Sequence, residues 1–367
     1  MTAVGASRRG GAKHVHAEDR HQAILRRLRE RGSLRVTDFA EELKVSAVTV
    51  RRDVEALAER GLVARVHGGA LLPETAAPAA APAFAPPGAP GPGLVFGLVV
   101  PAADYYYPEI IKGAREAAAA RGIRLVLGIS QYRPDEERAQ VRQLLGHGID
   151  GLLIAPCGPV GDQDWLAALG VPFALIERRS GDDVAGAERV VTDHAYGARL
   201  AVRHLAASGR ERIGLLLRAD SPHSALVEAG YLAGLASLGL PAPESLRFTI
   251  TAPETDPVRR DVQLDGFVAA VGAGLLDSVL VHNDHDAIVL LPRLRARGLS
   301  VPGELAIVAY DDEVAALADI PLTAVAPPKR AVGVAAVDML AHRVGDPGRP
   351  RHHLSILPEL KVRASSA

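Results

Sequence analysis

Paired arginines, short hydroxyl side chains and a histidine beside a glycine turn are groups that contact nucleic-acid phosphates and base edges. One stretch of this chain concentrates them. Within VSAVTVRRDVEALAERGLVARVHGGA, residues 45–70, stand Ser46, Thr49, Arg51, Arg52, Arg65 and His67. Guanidinium groups take phosphate oxygens or a guanine edge in paired hydrogen bonds, and hydroxyls add shorter contacts. Nothing comparable points to bond-making chemistry. GAGLLD from Gly272 lacks the third glycine of a dinucleotide loop and follows no strand, and no Walker loop, HExxH or GxSxG occurs. His282, His285 and Asp286 would diverge around the start of a helix, so the expectation is no metal, no cofactor and no catalytic residue.

A helix has to carry the arginines. Ser46 stands at an N-cap position, where its hydroxyl satisfies an amide of the first turn, and the helix it opens runs to about Arg60 before Gly61 stops it. Val50, Val54 and Leu57 recur at helical spacing and face a small core, which leaves Thr49, Arg51, Arg52 and Glu55 outward. Leu62 to Val66 alternates as a strand and His67-Gly68-Gly69 turns toward Leu71-Leu72, a hairpin carrying Arg65 and His67. Upstream, Glu18 to Arg31 places Ile24, Leu25 and Leu28 on one face of a first helix, and Val36 to Leu43 makes a second. The second and third helices, joined around Lys44-Val45, form a helix-turn-helix whose latter member enters the major groove, with the hairpin as a wing on the backbone.

Arg20, Ile24, Leu43, Val45-Ser46, Thr49, Arg51-Arg52-Asp53, Leu57, Gly61, Arg65 and His67-Gly68-Gly69-Ala70 together resemble the winged helix-turn-helix of DeoR-type regulators. The likeness spans residues 19–72 and implies operator DNA as a partner.

Charge agrees. Residues 1–71 hold 14 Lys and Arg against 9 Asp and Glu, whereas the rest holds 28 against 34, so the basic part is the one that must neutralise phosphate. At 367 residues two or three domains are expected. The lone Cys157 cannot form an internal disulfide and fits a reducing cytoplasm, where it reads as a small buried residue. No apolar core follows the first basic residues, and the best apolar run, residues 94–103, falls well short of the roughly 20 residues a spanning helix needs, so neither a signal peptide nor a membrane span is expected.

Residues 1–17, rich in Gly, Arg, Ala and His, read as a flexible tail; His14 and His16 lie in it. Residues 18–72 are the DNA-binding domain. Residues 73–93, PETAAPAAAPAFAPPGAPGPG, are a Pro/Ala-rich linker that extends up to roughly 60 Å in polyproline geometry. From Leu94 onward short β-rich runs alternate with amphipathic helices, the pattern of doubly wound parallel sheets. The final strand-like HHLSILPELKV is expected to return to the first sheet. Two such sheets with crossovers make a cleft at their strand ends, where α/β folds bind ligands.

FGLVVP, IDGLLIAP, VPFALIERR, VVTDHAYGARLAVRHLAASGRERIGLL, VHNDHDAIVLLPRLRARGLSVPGELAIVAYDD, IPLTAV and LPELKVRASS, in this order, resemble the effector domain of LacI-family regulators, itself similar to periplasmic sugar-binding proteins. Over residues 94–367 the resemblance implies an α/β, two-lobed, periplasmic-binding-protein-like fold. The short helix-turn-helix and hinge helix of that family are replaced by the DeoR-like head and the linker.

A sugar offers paired hydroxyls and a slightly apolar ring face, so its site needs carboxylates or arginine and an aromatic ring. Asp104 and the tyrosines after it lie just past the first strand; by the resemblance, Tyr106 and Tyr107 match an aromatic pair, Arg178 a strand-end arginine and Asp284 a carboxylate aimed at ligand hydroxyls. Each has a plainer alternative: the tyrosines packing the next helix, Arg178 exposed beside Arg179, Asp284 capping a helix. Asp193, Asp311 and Asp312 also end strands, as caps or hinge braces. Val227 stands where the family often has a sugar-binding arginine, which leaves nucleosides, polyols and glycosides open beside simple sugars.

The reading is therefore a cytoplasmic, ligand-responsive, DNA-binding transcriptional regulator: a repressor of carbohydrate-related genes, homodimeric, not an enzyme, and with a sugar-like effector. The alternatives are a solute-binding receptor of a transport system, or a sugar-metabolising enzyme fused to a DNA-binding head.

Overall fold

The computed structural model describes residues 20–21, 23–24, 27–28, 33–43, 45–59, 63–66, 69–71, 93–158, 164–179, 186–252 and 255–367. The tail and all of the linker except Gly93 lie outside them. The chain divides into two compact units, residues 1–89 and 90–367.

In the first unit Arg20, His21, Ala23, Ile24, Arg27 and Leu28 are helical, followed by α1 (Val36–Leu43) and α2 (Ala47–Glu59). Ile24, Leu28, Phe39, Val50, Val54 and Leu57 pack into one small core, as their spacing requires. The wing is more than a hairpin. Strand β2 (Ala64–Val66) pairs antiparallel with β3 (Gly69–Leu71), and β3 also pairs with β1 (Ser33–Arg35), aligning Leu34 with Ala70. Three residues are too few for an alternation to show, and the partner is remote in sequence, so β1 had no local signal.

The second unit has two lobes, each built on a six-stranded sheet. The first lobe contains β4 (Val95–Val100), β5 (Arg124–Ile129), β6 (Gly151–Ile154), β7 (Phe173–Ile176), β8 (Glu188–Thr192) and β14 (His353–Ile356), all parallel, in the order β14-β8-β7-β6-β4-β5. Helices α3 (Tyr107–Ala120) and α4 (Pro134–Gly146) connect its first three strands. The second lobe contains β9 (Ile213–Arg218), β10 (Arg247–Ile250), β11 (Ser278–Val281), β12 (Ala306–Tyr310), β13 (Thr323–Ala326) and β15 (Glu359–Lys361), in the order β10-β9-β11-β12-β13-β15. Helices α5 (His194–Ala207), α6 (Ser224–Ser237), α7 (Pro257–Gly272) and α8 (Asp284–Ala296) belong to it. Central strands such as β6 and β11 are buried along their whole length, as sheets covered on both faces demand.

The chain crosses between the lobes three times. It leaves β8 for α5 through Asp193, which caps that helix by accepting the Tyr196 amide at 2.8 Å. It leaves β13 for α9 (Lys329–Gly345), whose Val332, Ala336, Val337 and Leu340 join the core of the first lobe. It leaves β14 for β15 through Leu357-Pro358. The expected return of the last segment to the first sheet therefore holds for β14 alone, because β15 pairs antiparallel with β13. Pro358 has no N–H to extend the first ladder. Helix α9 lies against α3 so closely that a Cβ at Gly113 would stand 2.0 Å from the Arg330 carbonyl oxygen, and one at Gly333 would stand 2.1 Å from that of Ile110.

Candidate functional site

On the head, Ser46 caps α2: its hydroxyl accepts the Thr49 amide at 3.1 Å and lies 2.8 Å from Thr49 Oγ1. These two expected DNA contacts are thus also engaged with each other. Arg51 and Arg52 are exposed beside them. Asp53 points the other way, 6% exposed, and accepts Nε and Nη2 of Arg20 at 2.7 and 3.0 Å, with His21 Nε2 3.4 Å away. The Arg-Arg-Asp triplet therefore divides between an outward basic pair and an inward brace to the first helix, a role that its helical position could have disclosed. Arg65 lies on β2 with its side chain outside the described residues, and His67 is wholly outside them.

Between the lobes is a cavity of about 370 Å³ whose wall includes Tyr132, Glu177, Arg178, Thr192, Asp220 and His223. Arg178 follows β7; its Nε donates to the Pro156 carbonyl at 3.1 Å and its Nη1 to the Glu177 carbonyl at 3.0 Å, with Nη1 also 3.1 Å from His223 Nε2. The other expected effector residues sit differently. Asp104 is exposed on the loop after β4, Tyr107 is buried at the start of α3, and Tyr106 is buried with its ring centroid 6.2 Å from that of His223.

Asp284 is fully buried at the start of α8, and its oxygens are engaged from within the protein. Oδ2 accepts the amides of Glu313, Val314 and Ala315 at 2.7, 2.7 and 3.1 Å, and Oδ1 accepts the Tyr105 hydroxyl at 2.8 Å. That hydroxyl also lies 3.0 Å from Asp311 Oδ2, so Tyr105 of the first lobe ties to two carboxylates of the second. Burial first, then the Asp284 charge, push Asp311 up to about 6, against the opposing pull of Lys329. Lys329, at the second crossover, donates to the Asp311 carbonyl and to Glu313 and lies over the Tyr106 ring at 5.2 Å. Asp312 is held by both outer nitrogens of Arg363, at 2.7 and 3.2 Å. Asp193, Asp311 and Asp312 therefore serve as cap and hinge braces.

Sequence reasoning passed over Glu177, His194 and His223. Glu177 adopts φ +53, a left-handed conformation unusual for a glutamate, and accepts the Thr192 amide at 3.1 Å and the Thr192 hydroxyl at 2.7 Å. Burial opposes its charge, but His194, with Nε2 3.5 Å from Oε2, and the Thr192 bonds hold it below the usual carboxylate range. His194 stacks on His223 with ring centroids 4.0 Å apart. Burial, then neighbouring His194 and Arg178, hold His223 well below the usual imidazole range, so it is neutral. A carboxylate oxygen of Glu177 and one ring nitrogen of each histidine all lie within 4.8 Å of one another. Each of the three ends a strand or opens a helix at the cleft, which was the available signal. The Cys157 thiol, also in the cavity wall, is pushed up to about 11 by burial and Glu137, so it is a protonated wall residue and not a nucleophile.

Residues 20–76 match the DeoR-like helix-turn-helix domain, and residues 202–366 match the periplasmic binding protein-like domain. An uncharacterized HTH-type transcriptional regulator in the aml 5' region of Streptomyces limosus is 31% identical over 288 residues, covering 74% of this chain and 79% of that protein. The chain belongs to the HTH-type transcriptional regulators. It joins a DeoR-type winged head to a LacI-family, periplasmic-binding-protein-like effector domain. The arabinose metabolism transcriptional repressor of Geobacillus stearothermophilus is 24% identical to this regulator over 344 residues, 90% of each chain, so the likeness there takes in the head as well. The cellobiose complex of the transcriptional regulator CelR shares the regulator's fold with a TM-score of 0.65 and 24% identity, covering 88% of this chain and 91% of that one. A ribose-bound LacI family regulator from Enterococcus faecium shares it with a TM-score of 0.61 and 20% identity over 74% of this chain and 98% of that one. Among the described residues no helix is long and apolar enough to cross a membrane.

Proposed function

We propose that the regulator is a cytoplasmic, homodimeric repressor of carbohydrate-related genes, and that a sugar-like effector bound between its lobes alters its affinity for operator DNA. The observation that carries this reading is the cavity itself, walled by Arg178 of the first lobe and Asp220 and His223 of the second. Its volume is within the range of about 300–1,000 Å³ usual for small-molecule sites. Arg178 on one lobe and the Arg218–Asp220 ion pair on the other suit paired hydroxyls, and a ligand touching both favours the closed arrangement of the lobes. Relatives and structural neighbours named for arabinose, ribose and cellobiose support an effector of that class.

In this mechanism Arg178 binds effector hydroxyls, and Tyr106, packed near His223, supports the cavity from below. Tyr107 buttresses Arg178, and Asp104 stands at the rim. Asp284 acts as the receptor of the Tyr105 latch, reporting closure without touching the ligand. Thr49, Arg51 and Arg52 approach the major groove from α2, while Arg65 and His67 reach the backbone from the wing; Ser46 orders the first turn between them. Two heads on one dimer bind two half-sites together, which multiplies affinity and selectivity.

The test is thermal unfolding against monosaccharides, disaccharides, polyols, nucleosides and sugar phosphates, since a ligand bound only to the native state raises the midpoint. A rise lost in Arg178→Ala and retained in Arg52→Ala is the expected result. No rise with any compound, or a rise that Arg178→Ala leaves intact, overturns the effector assignment.

A further inference from the structure

Among the groups that line the cleft, one trio has the donor set of a metal site. We propose that Glu177, His194 and His223 bind one divalent transition-metal ion, with coordination positions left open toward the cavity.

The donors suit such an ion. Two imidazole nitrogens and one carboxylate oxygen form the set used by zinc and by open-sided iron, cobalt and nickel sites. The three donor atoms lie within 4.8 Å of one another. Bonds of about 2.0–2.2 Å to the ion would draw them together by roughly an ångström or more, and the His223 ring, stacked on His194 with centroids 4.0 Å apart, has to turn for both lone pairs to meet at one ion.

The surroundings prepare each ligand. His194 is 1% exposed, and its Nε2 is buried without a hydrogen-bond partner, which a ring nitrogen tolerates only at a cost. Its other nitrogen, Nδ1, lies 3.3 Å from the Tyr310 hydroxyl, which in turn donates to the His194 carbonyl at 3.2 Å. Nε2 faces Glu177 Oε2 at 3.5 Å, and Nδ1 is held from behind by Tyr310. This is the outer hydrogen bond by which metal-binding histidines are usually oriented. Arg178, which can only donate, lies at His223 Nε2 and so marks a lone pair there; on releasing it, Arg178 keeps its bonds to two carbonyl oxygens. Glu177 is pinned by Thr192 in a left-handed backbone conformation, a local strain that persists only where the surroundings hold it.

The ligands also straddle the hinge. Glu177 directly follows β7 of the first lobe, His194 opens α5 just past the first crossover, and His223 precedes α6 of the second lobe. An ion bound by all three therefore ties the lobes together, and its remaining positions accept oxygen donors from water or from a ligand in the cavity. The ion site stands on this geometry alone; only its link to an effector rests on the proposed function.

Cobalt chloride is the probe, because cobalt(II) held by histidine and carboxylate absorbs visible light. Full-length protein stripped with a chelator should develop visible bands that saturate at one equivalent, with a raised unfolding midpoint. His223→Ala, and separately Glu177→Gln, should weaken cobalt binding at least about tenfold while the metal-free midpoint and helical content stay near wild type. Replacing both tail histidines, His14→Ala with His16→Ala, should change nothing. No bands at one equivalent, bands that persist in His223→Ala, or bands lost with the tail histidines would overturn the site. A sugar-induced midpoint rise in chelator-treated protein without any cobalt signal would remove the ion and leave the effector reading standing; a cobalt signal without any sugar response would do the reverse.

Discussion

The hydroxyl of Tyr105, on the loop after β4, lies 2.8 Å from Oδ1 of Asp284 on the opposite lobe, and 3.0 Å from Oδ2 of Asp311. One phenolic proton cannot fully serve two carboxylates. When both are ionised, one faces the hydroxyl oxygen without a shared proton; when Asp311 is protonated, it donates to Tyr105, and Tyr105 donates to Asp284.

That relationship sets a pH dependence. Asp311 is raised from 3.8 to about 6, so between those values the native protein holds a proton that the unfolded chain releases. Its contribution to stability is full below about pH 4 and is lost as pH rises through about 6, on the order of 3 kcal/mol. Urea midpoints for wild type and Asp311→Asn between pH 4.5 and 7 should differ in slope, wild type losing stability relative to the variant as pH rises. Parallel slopes would show that Asp311 titrates normally.

Loss of the Asp284 carboxylate should harm folding more than ligand binding. In Asp284→Ala three amides, of Glu313, Val314 and Ala315, lose their acceptor in a buried place. The expected cost is at least about 3 kcal/mol, read by chemical denaturation. Tyr105→Phe, which removes only the latch, should cost about 1 kcal/mol and leave the lobes more open in small-angle X-ray scattering. An unchanged scattering profile would remove Tyr105 from the closure mechanism.

Within the Arg-Arg-Asp triplet the two kinds of residue should separate experimentally. Arg52→Ala should weaken operator binding about tenfold or more with the unfolding midpoint unchanged, and lower the salt dependence of binding by about 0.9 if Arg52 contacts a phosphate. Asp53→Ala, which removes the acceptor of two Arg20 hydrogen bonds, should destabilise the head by about 2 kcal/mol, with DNA affinity falling only as a consequence. Equal stability losses in the two variants would refute this division.

Gly333→Ala tests the contact between α3 and α9. A methyl group there meets the Ile110 carbonyl oxygen at 2.1 Å, so the helices must move apart, at about 1–3 kcal/mol. Denaturant titration should show it, whereas Gly345→Ala at the end of α9, where a Cβ meets nothing within 4 Å, should be nearly neutral.

Much of this architecture is local, and local features can be read from the chain. The Ser46 cap, the Val50-Val54-Leu57 face of α2 and the alternation of strands and helices beyond Leu94 depend on neighbours within a few residues, so periodicity and capping chemistry suffice to place them. Sequence order alone also carried the division into a basic, arginine-bearing head and an α/β body. What it could not carry was which side chains meet. Tyr105 reaches Asp284 and Asp311 across 179 and 206 residues of chain, and β1 exists only because β3 lies beside it. Asp284 read as a ligand-seeking carboxylate because its position past a strand end was visible, while the amides that engage it, from Glu313 onward, were not. Glu177, His194 and His223 sit on three separate connections, each ordinary by itself. Only the folding of two sheets against a shared hinge brings their donor atoms together, because proximity there is fixed by crossovers and buried packing rather than by spacing along the chain.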